Sequence, residues 1–183
     1  MKLITHRLIL REFRESDFGA FRELETHPET YRYETARPSE QKTREYLENA
    51  QLDTLQLLRT RYRLAVTGLG QDIILGRVTL GLNNDTIREW EIGWAIHPTE
   101  WGKGIATESA GCLLDFAFME LKAHRVVAFS HAENIASLRV MRKLGMQQEG
   151  LLRETRLWQG QWSDEVVYSI LDREWNISHT KDR

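Results

Sequence analysis

The sequence holds one cysteine, Cys112, three prolines and no long apolar run. A single cysteine excludes a disulfide within the chain, and such sparing use fits a reducing compartment. A membrane helix needs about 20 mostly apolar residues, and charge interrupts every hydrophobic stretch before that. The opening Met1-Lys2-Leu3-Ile4-Thr5-His6-Arg7 meets charge too early for a secretory signal. These absences predict a cytoplasmic protein with no membrane partner. Charge of one sign is also missing: 25 Lys and Arg face 27 Asp and Glu, a net charge of -2. That leaves no basic stripe or domain for direct nucleic-acid binding. The histidines His6, His27, His97, His124, His131 and His179 lack the close spacing of a metal site, so no metal is expected.

What is present suits one domain over residues 1–183, with 41% hydrophobic residues. Pro28, Pro38 and Pro98 fall between periodic segments, where loops belong. Residues 3–13 read as a strand. Ser16 reads as the N-cap of a short helix facing inward with Phe18, Phe21 and Leu24. Residues 26–37 form a connecting loop, and Ser39 caps a second helix reaching about Leu58 through Leu47, Ala50 and Leu57. Strands at 62–67, 73–82 and 88–96 follow, joined by short turns, which implies an antiparallel meander. In the last of them Trp90, Ile92, Trp94 and Ile96 share one face and Glu89, Glu91, Gly93 and Ala95 the other. The period then lengthens to 3.6 from Gly104 to Leu121. A short strand at 126–130, a helix at 134–144 stopped by Gly145, and strands at 147–158 and 162–171 complete the chain. This is an α+β pattern built on a mixed sheet.

The most informative run is His97-Pro98-Thr99-Glu100-Trp101-Gly102-Lys103-Gly104-Ile105-Ala106-Thr107-Glu108. A strand ends, a loop with two glycines follows, and a long helix begins. The first turn of a helix presents unpaired N–H groups and a positive dipole end, and glycines let that backbone approach an anion such as a pyrophosphate. Lys103 adds a positive charge. A tight turn that binds nothing has the same local signature. The run is not a Walker loop, because no Lys-Ser or Lys-Thr pair follows the second glycine, and it lacks the third glycine of a dinucleotide fingerprint.

The run resembles the coenzyme A loop of the GNAT acetyltransferases, Gln/Arg-x-x-Gly-x-Gly/Ala, with Trp101 at the first position. The variant "WGKG" is similar to that of the RimJ/RimL-like branch, the ribosomal-protein N-terminal acetyltransferases. The opening "TxRLILRxFxxSD", the strand "EIGWAI", the later "AENIASLRVMRKLGM" and the end "EGLLRETRLWQGQWSDEVVYSILDREW" resemble this branch in the same order. The resemblance implies a splayed, mostly antiparallel sheet of about seven strands flanked by about four helices. It implies acetyl-CoA as co-substrate, its pyrophosphate on residues 101–107. It also implies a V-shaped opening between the fourth and fifth strands, where Trp94, Ala95, Ile96 and His97 offer their backbone to the pantetheine arm. The N–H near Ile96 is where the family places its oxyanion contact.

An amine attacks a thioester only when neutral. An α-amine, with a pKa of about 7.7–8.0, needs less help from a base than a lysine or polyamine nitrogen near about 10.4. Glu91 is the candidate base, on the face opposite the tryptophans and beside small Gly93 and Ala95. A solvated strand carboxylate is the plainer reading, and Glu89 shares the face as the reserve. Asn134 and Ser137 open the later helix, where they are ordinary helix-start residues. The resemblance places this Asn-x-x-Ser pair beside the coenzyme, with Ser137 near the sulfur as the acid. Met141 stands where many members carry a tyrosine. Cys112 reads as packing. Trp158 and Trp162 suit the wall of an acceptor cleft, the core or a dimer surface, so a homodimer stays open.

The function expected is acetyl transfer to a primary amine, foremost the N-terminal α-amine of a protein such as a ribosomal protein. A small amine as acceptor (polyamine, amino acid or antibiotic) and a non-catalytic acyl-CoA sensor are the alternatives.

Overall fold

The structure is a computed structural model. It describes residues 1–158 and 160–179, the last four of them by backbone alone. Gln159, in the expected final hairpin, and residues 180–183 lie outside the described residues. In chain order the elements are β1 (Lys2–Ile4), β2 (Leu8–Glu12), α1 (Phe18–Thr26), α2 (Glu40–Asp53), β3 (Arg61–Gly68), β4 (Ile74–Asn84), β5 (Glu89–Ile96), α3 (Ile105–Met119), β6 (Arg125–His131), α4 (Ile135–Lys143), β7 (Gln147–Trp158), β8 (Gln161–Leu171) and α5 (Asp172–His179). The strands form one sheet in the order β1-β2-β3-β4-β5-β6-β8-β7.

Apolar residues alternate along the central strands, so the sheet buries both faces. Leu64, Val66, Val78, Leu80, Ile92 and Val126 meet Leu113 and Leu114 of α3 and Met141 of α4. On the other face Ala65 and Ile74 meet Phe21 and Leu24 of α1 and Leu47 and Ala50 of α2. Two-sided burial of this kind sets the register, because a slip by one residue would exchange the faces of a whole strand.

All neighbouring strands are antiparallel except β5 and β6, which run parallel and pair only at Glu89↔Arg125, Trp90↔Val126 and Glu91↔Val127. Beyond these pairs residues 92–96 and 128–131 separate. The expected V-shaped opening therefore exists, between the fifth and sixth strands as they fold.

The shift in numbering arises at the amino end. Residues 3–13 form two strands, because Thr5 Oγ1 accepts the Leu8 N–H at 2.9 Å and folds the chain back on itself. Ser16 is not a cap: Asp17 accepts the Arg14 N–H at 2.7 Å and pairs with buried Arg11, also at 2.7 Å. The guanidinium of Arg11 needs a carboxylate inside the fold, and Asp17 supplies it. Ser39 does cap α2, accepting the Lys42 N–H. That helix stops at Asp53 rather than near Leu58, and Leu57 is 99% exposed. Thr54 closes it by bonding the Gln51 carbonyl at 2.7 Å, and Asp53 turns to Arg63 on β3. The unexpected α5 anchors through Trp175, which is buried and donates to Asp115 of α3 at 2.9 Å.

Candidate functional site

The opening places β5 backbone where a ligand can reach it. The His97 N–H bonds Leu75 O of the β4 side at 2.8 Å. Antiparallel ladders alternate, so the N–H and C=O of Ile96 and Trp94 turn the other way, toward the gap. The Trp101 indole donates to Ile96 O at 2.7 Å across this edge. Trp101 thus ties the glycine loop to the end of the strand before it. The Trp94 side chain packs into the α3 face, while Ala95 lies on the opposite face, partly buried.

The glycine loop ends in an open helix start. Gly102 and Gly104 have φ of +76° and +80°, the left-handed region that only glycine adopts cheaply. Gly104 is the N-cap of α3 and offers no side chain to its first amides. The first helical bond runs from Glu108 N to Gly104 O, so the N–H groups of Ile105, Ala106 and Thr107 have no partner within the helix. Side-chain charge around them is balanced. Lys103 pairs with Glu100 at 3.0 Å, and Arg7 pairs with Glu108. Any attraction for an anion therefore rests on the backbone amides and the helix dipole more than on Lys103.

Arg7 and Glu108 come together only in the fold. The Glu108 carboxylate accepts from Thr5 Oγ1 at 2.6 Å, Arg7 N at 3.1 Å and Arg7 Nε at 2.7 Å. Arg7 also donates to Lys103 O at 3.1 Å. The β1–β2 turn is thereby fastened to the first turn of α3. Burial acts to raise the Glu108 carboxyl, but Thr5 and Arg7 outweigh it and hold it below the usual carboxylate value. No spacing rule links residues a hundred positions apart.

At the start of α4, Asn134 Oδ1 accepts the Ser137 N–H at 3.2 Å, as an N-cap should. The Ser137 hydroxyl has no hydrogen bond among the described residues and is half-buried. Met141 is fully buried in the core, so its position contributes packing.

Glu91 lies on the α1–α2 face, beside an open cleft of about 340 Å³ lined by Tyr46, Arg61, Arg63, Arg77 and Thr79 among others. Its side chain reaches solvent, yet burial of the carboxyl raises it above the ordinary carboxylate range. Glu165 and Glu89 reinforce that rise, while Arg61 and Arg156 oppose it. Glu89 is engaged elsewhere, with Asn83 and with Arg125. A larger hollow, about 460 Å³, lies around Ile9, Arg14 and Thr67 on the far side of β4 from the opening.

The loop after α1 spans the mouth of the opening. At one lip His27 meets His97, ring centroids 5.5 Å apart, and His97 bonds Thr99 Oγ1 at 2.8 Å. At the other, Tyr33 and Trp158 enclose the His131 ring, each at 5.1 Å. Trp158 donates to Arg32 O at 2.6 Å, so it walls this region, while Trp162 is largely exposed. Cys112 is half-buried on α3, and burial, reinforced by Asp115 and Glu108, pushes its thiol up to about 11, as packing rather than nucleophilic chemistry requires.

Comparison with known proteins agrees with this geometry. Residues 7–147 match the family model described as Acetyltransferase (GNAT) domain. A Bacillus subtilis protein named as the uncharacterized N-acetyltransferase YnaD is 30% identical over 177 residues, covering 96% of this chain and 100% of its own. The crystal structure of a GNAT-family acetyltransferase from Bacillus anthracis superposes with a TM-score of 0.83 at 29% identity, covering 95% of this chain and all of that one. The fold is also that of a Vibrio cholerae spermidine N-acetyltransferase solved with CoA and spermine, with a TM-score of 0.81 at 22% identity and coverage of 94% and 99%. The chain belongs to the GNAT acetyltransferases, and it is an N-acetyltransferase whose acetyl donor is acetyl-CoA.

Proposed function

We propose that this enzyme acetylates the N-terminal α-amine of a protein, as the RimJ/RimL-like branch it resembles does, and that residues 1–183 act as one cytoplasmic catalytic domain. The observation that carries the acetyl-CoA half of the reading is the uncapped start of α3 beside the opened edge of β5. Together they offer one continuous path, with amides for a diphosphate at one end and strand backbone for its tail. Gly102, Lys103, Gly104, Ile105, Ala106 and Thr107 hold the pyrophosphate, and Trp101 keeps the loop against the strand. Of the four residues expected to align the pantetheine arm, Trp94 and Ile96 turn their backbone to it, while Ala95 and His97 turn theirs to β4; the Ile96 N–H stabilises charge on the thioester oxygen. Glu91 accepts the proton of the attacking amine, directly or through water. Ser137, set by Asn134, donates to the departing sulfur.

A small-amine acceptor is the second reading, and the spermine in the Vibrio cholerae relative speaks for it. Against it, Asp53 and Glu25 pair with Arg63 and Arg77, and Arg61 faces Glu91, so the cleft offers a polycation no excess of negative charge. Thiol release from acetyl-CoA, measured over peptides with different first residues, amino acids and polyamines, tests the reading. Transfer to peptide α-amines supports it. Transfer to polyamines alone, or coenzyme binding with no transfer to any acceptor, overturns it.

A further inference from the structure

His131 closes β6 on the same face of the sheet as Glu91. The register Glu91↔Val127 puts Val127 beside the carboxylate, and His131 is two further residue pairs along the same face. Val126 and Ala128 point the other way, into the α3 core. The ring is 4% exposed. Its Nδ1 accepts the Glu133 N–H at 3.1 Å, which leaves the neutral imidazole its proton on Nε2. That nitrogen is buried and has no hydrogen-bond partner among the described residues.

The surroundings keep it there. Tyr33 and Trp158 flank the ring, and their own polar atoms are occupied by the Glu133 and Arg32 carbonyls. The imidazole cannot swing out to water without breaking this enclosure. A buried donor held without an acceptor favours a ligand that brings an oxygen. A polyamine carries only donors when protonated. The charge at the Glu91 end agrees. Arg63 is matched by Asp53 and Arg77 by Glu25, but Arg61 has no ion pair among the described residues.

Distance sets the length of the ligand. Four residues of β6 separate the level of Glu91 from His131, about 13 Å at strand rise. An extended peptide covers that span in about four residues.

We propose that His131 is a specificity-determining residue. Where Tyr33 and Trp158 part, its Nε2–H receives a backbone carbonyl of an extended peptide acceptor, two or three residues beyond the one that carries the reacting amine. This contact thereby selects peptide N-termini over polyamines and single amino acids. This rests on the proposed acetylation of protein α-amines and adds the group that reads the acceptor.

The test compares kcat/KM with acetyl-CoA for tetrapeptide amides beginning with Ser, Ala, Thr or Met, for the matching amino-acid amides, and for spermidine. The native enzyme should prefer the best tetrapeptide to its amino-acid amide and to spermidine by tenfold or more. In His131→Phe the tetrapeptide-to-amide preference should fall about tenfold, chiefly through KM, and His131→Gln, which keeps an N–H, should recover part of it. Tetrapeptides with the third or fourth carbonyl reduced to methylene need no altered protein. One of them should lose about tenfold on the native enzyme and little more on His131→Phe. Equal losses on tetrapeptide and amide, indifference to both reduced carbonyls, or spermidine as good as any peptide would overturn the assignment of His131. A native enzyme that acetylates neither peptides nor amino-acid amides would instead overturn the proposed function itself.

Discussion

The indole N–H of Trp101 lies 2.7 Å from the carbonyl oxygen of Ile96, so the first side chain of the glycine loop grips the strand that the loop leaves. This bond holds the loop and the strand edge as one surface. Trp101→Phe keeps the ring and removes the donor. A neutral hydrogen bond contributes about 0.5–1.5 kcal/mol, so coenzyme A should bind roughly twofold to tenfold more weakly by calorimetry. Native affinity in this variant would show that the grip does not shape the site.

The fastening of β1–β2 to α3 should respond to acid. The Glu108 carboxyl is held low in the folded protein, first against burial, by Thr5 and Arg7. A carboxyl lowered on folding adds stability above its ordinary value of 4.5, and the stability is lost as pH falls through the lowered value. Glu108→Gln should therefore melt below the native enzyme at pH 7, with the gap narrowing as pH falls below that ordinary value. A gap that widens in acid would contradict the arrangement.

Glu91 has the opposite sign. Burial, helped by Glu165 and Glu89, raises its carboxyl above 4.5. Ionisation then works against folding at neutral pH, so Glu91→Gln should melt no lower than the native enzyme at pH 7 and converge with it in acid. A positioned general base contributes about 100-fold or more to turnover. The variant should lose that much in kcat, and the acid limb of the native kcat/KM profile should lie above the ordinary carboxylate value. A stable variant with native kcat would remove Glu91 from the chemistry and leave solvent as the base.

Ser137 offers a hydroxyl that no described residue engages, beside the Asn134 cap. In Ser137→Ala the backbone N–H still reaches Asn134 Oδ1, so the helix start survives. Turnover should fall by about tenfold with little change in coenzyme affinity. Equal losses in both would make Ser137 a positioning residue.

Much of this was legible because the signals are local. The loop Gly102–Gly104, the alternation of β5 and the cap at Asn134 each sit within a few residues, where periodicity and turn chemistry speak directly. Other features depend on distant partners. The break between β1 and β2 turns on one hydroxyl, Thr5 Oγ1, in an otherwise strand-like run. Leu57 fits a helical period yet stands in solvent, since Thr54 and Asp53 had already ended α2. Arg7 comes to the glycine loop through Glu108 and the Lys103 carbonyl, and His131 becomes a buried donor only once Tyr33 and Trp158 fold over it. Spacing along the chain carries no trace of such pairs.

The central claim is that the start of α3 and the facing edge of β5 bind coenzyme A. Amide NMR of the native enzyme titrated with coenzyme A, with Gly104→Glu as the control, tests it most directly. The account predicts the largest shifts at Gly102, Gly104, Ile105, Ala106 and Ile96 and at the Trp101 indole. In Gly104→Glu, where a left-handed non-glycine costs about 1–2 kcal/mol and a carboxylate enters the loop, the same titration should produce no shifts from a folded spectrum. Shifts that bypass these groups in the native enzyme, or that persist in the variant, would contradict it.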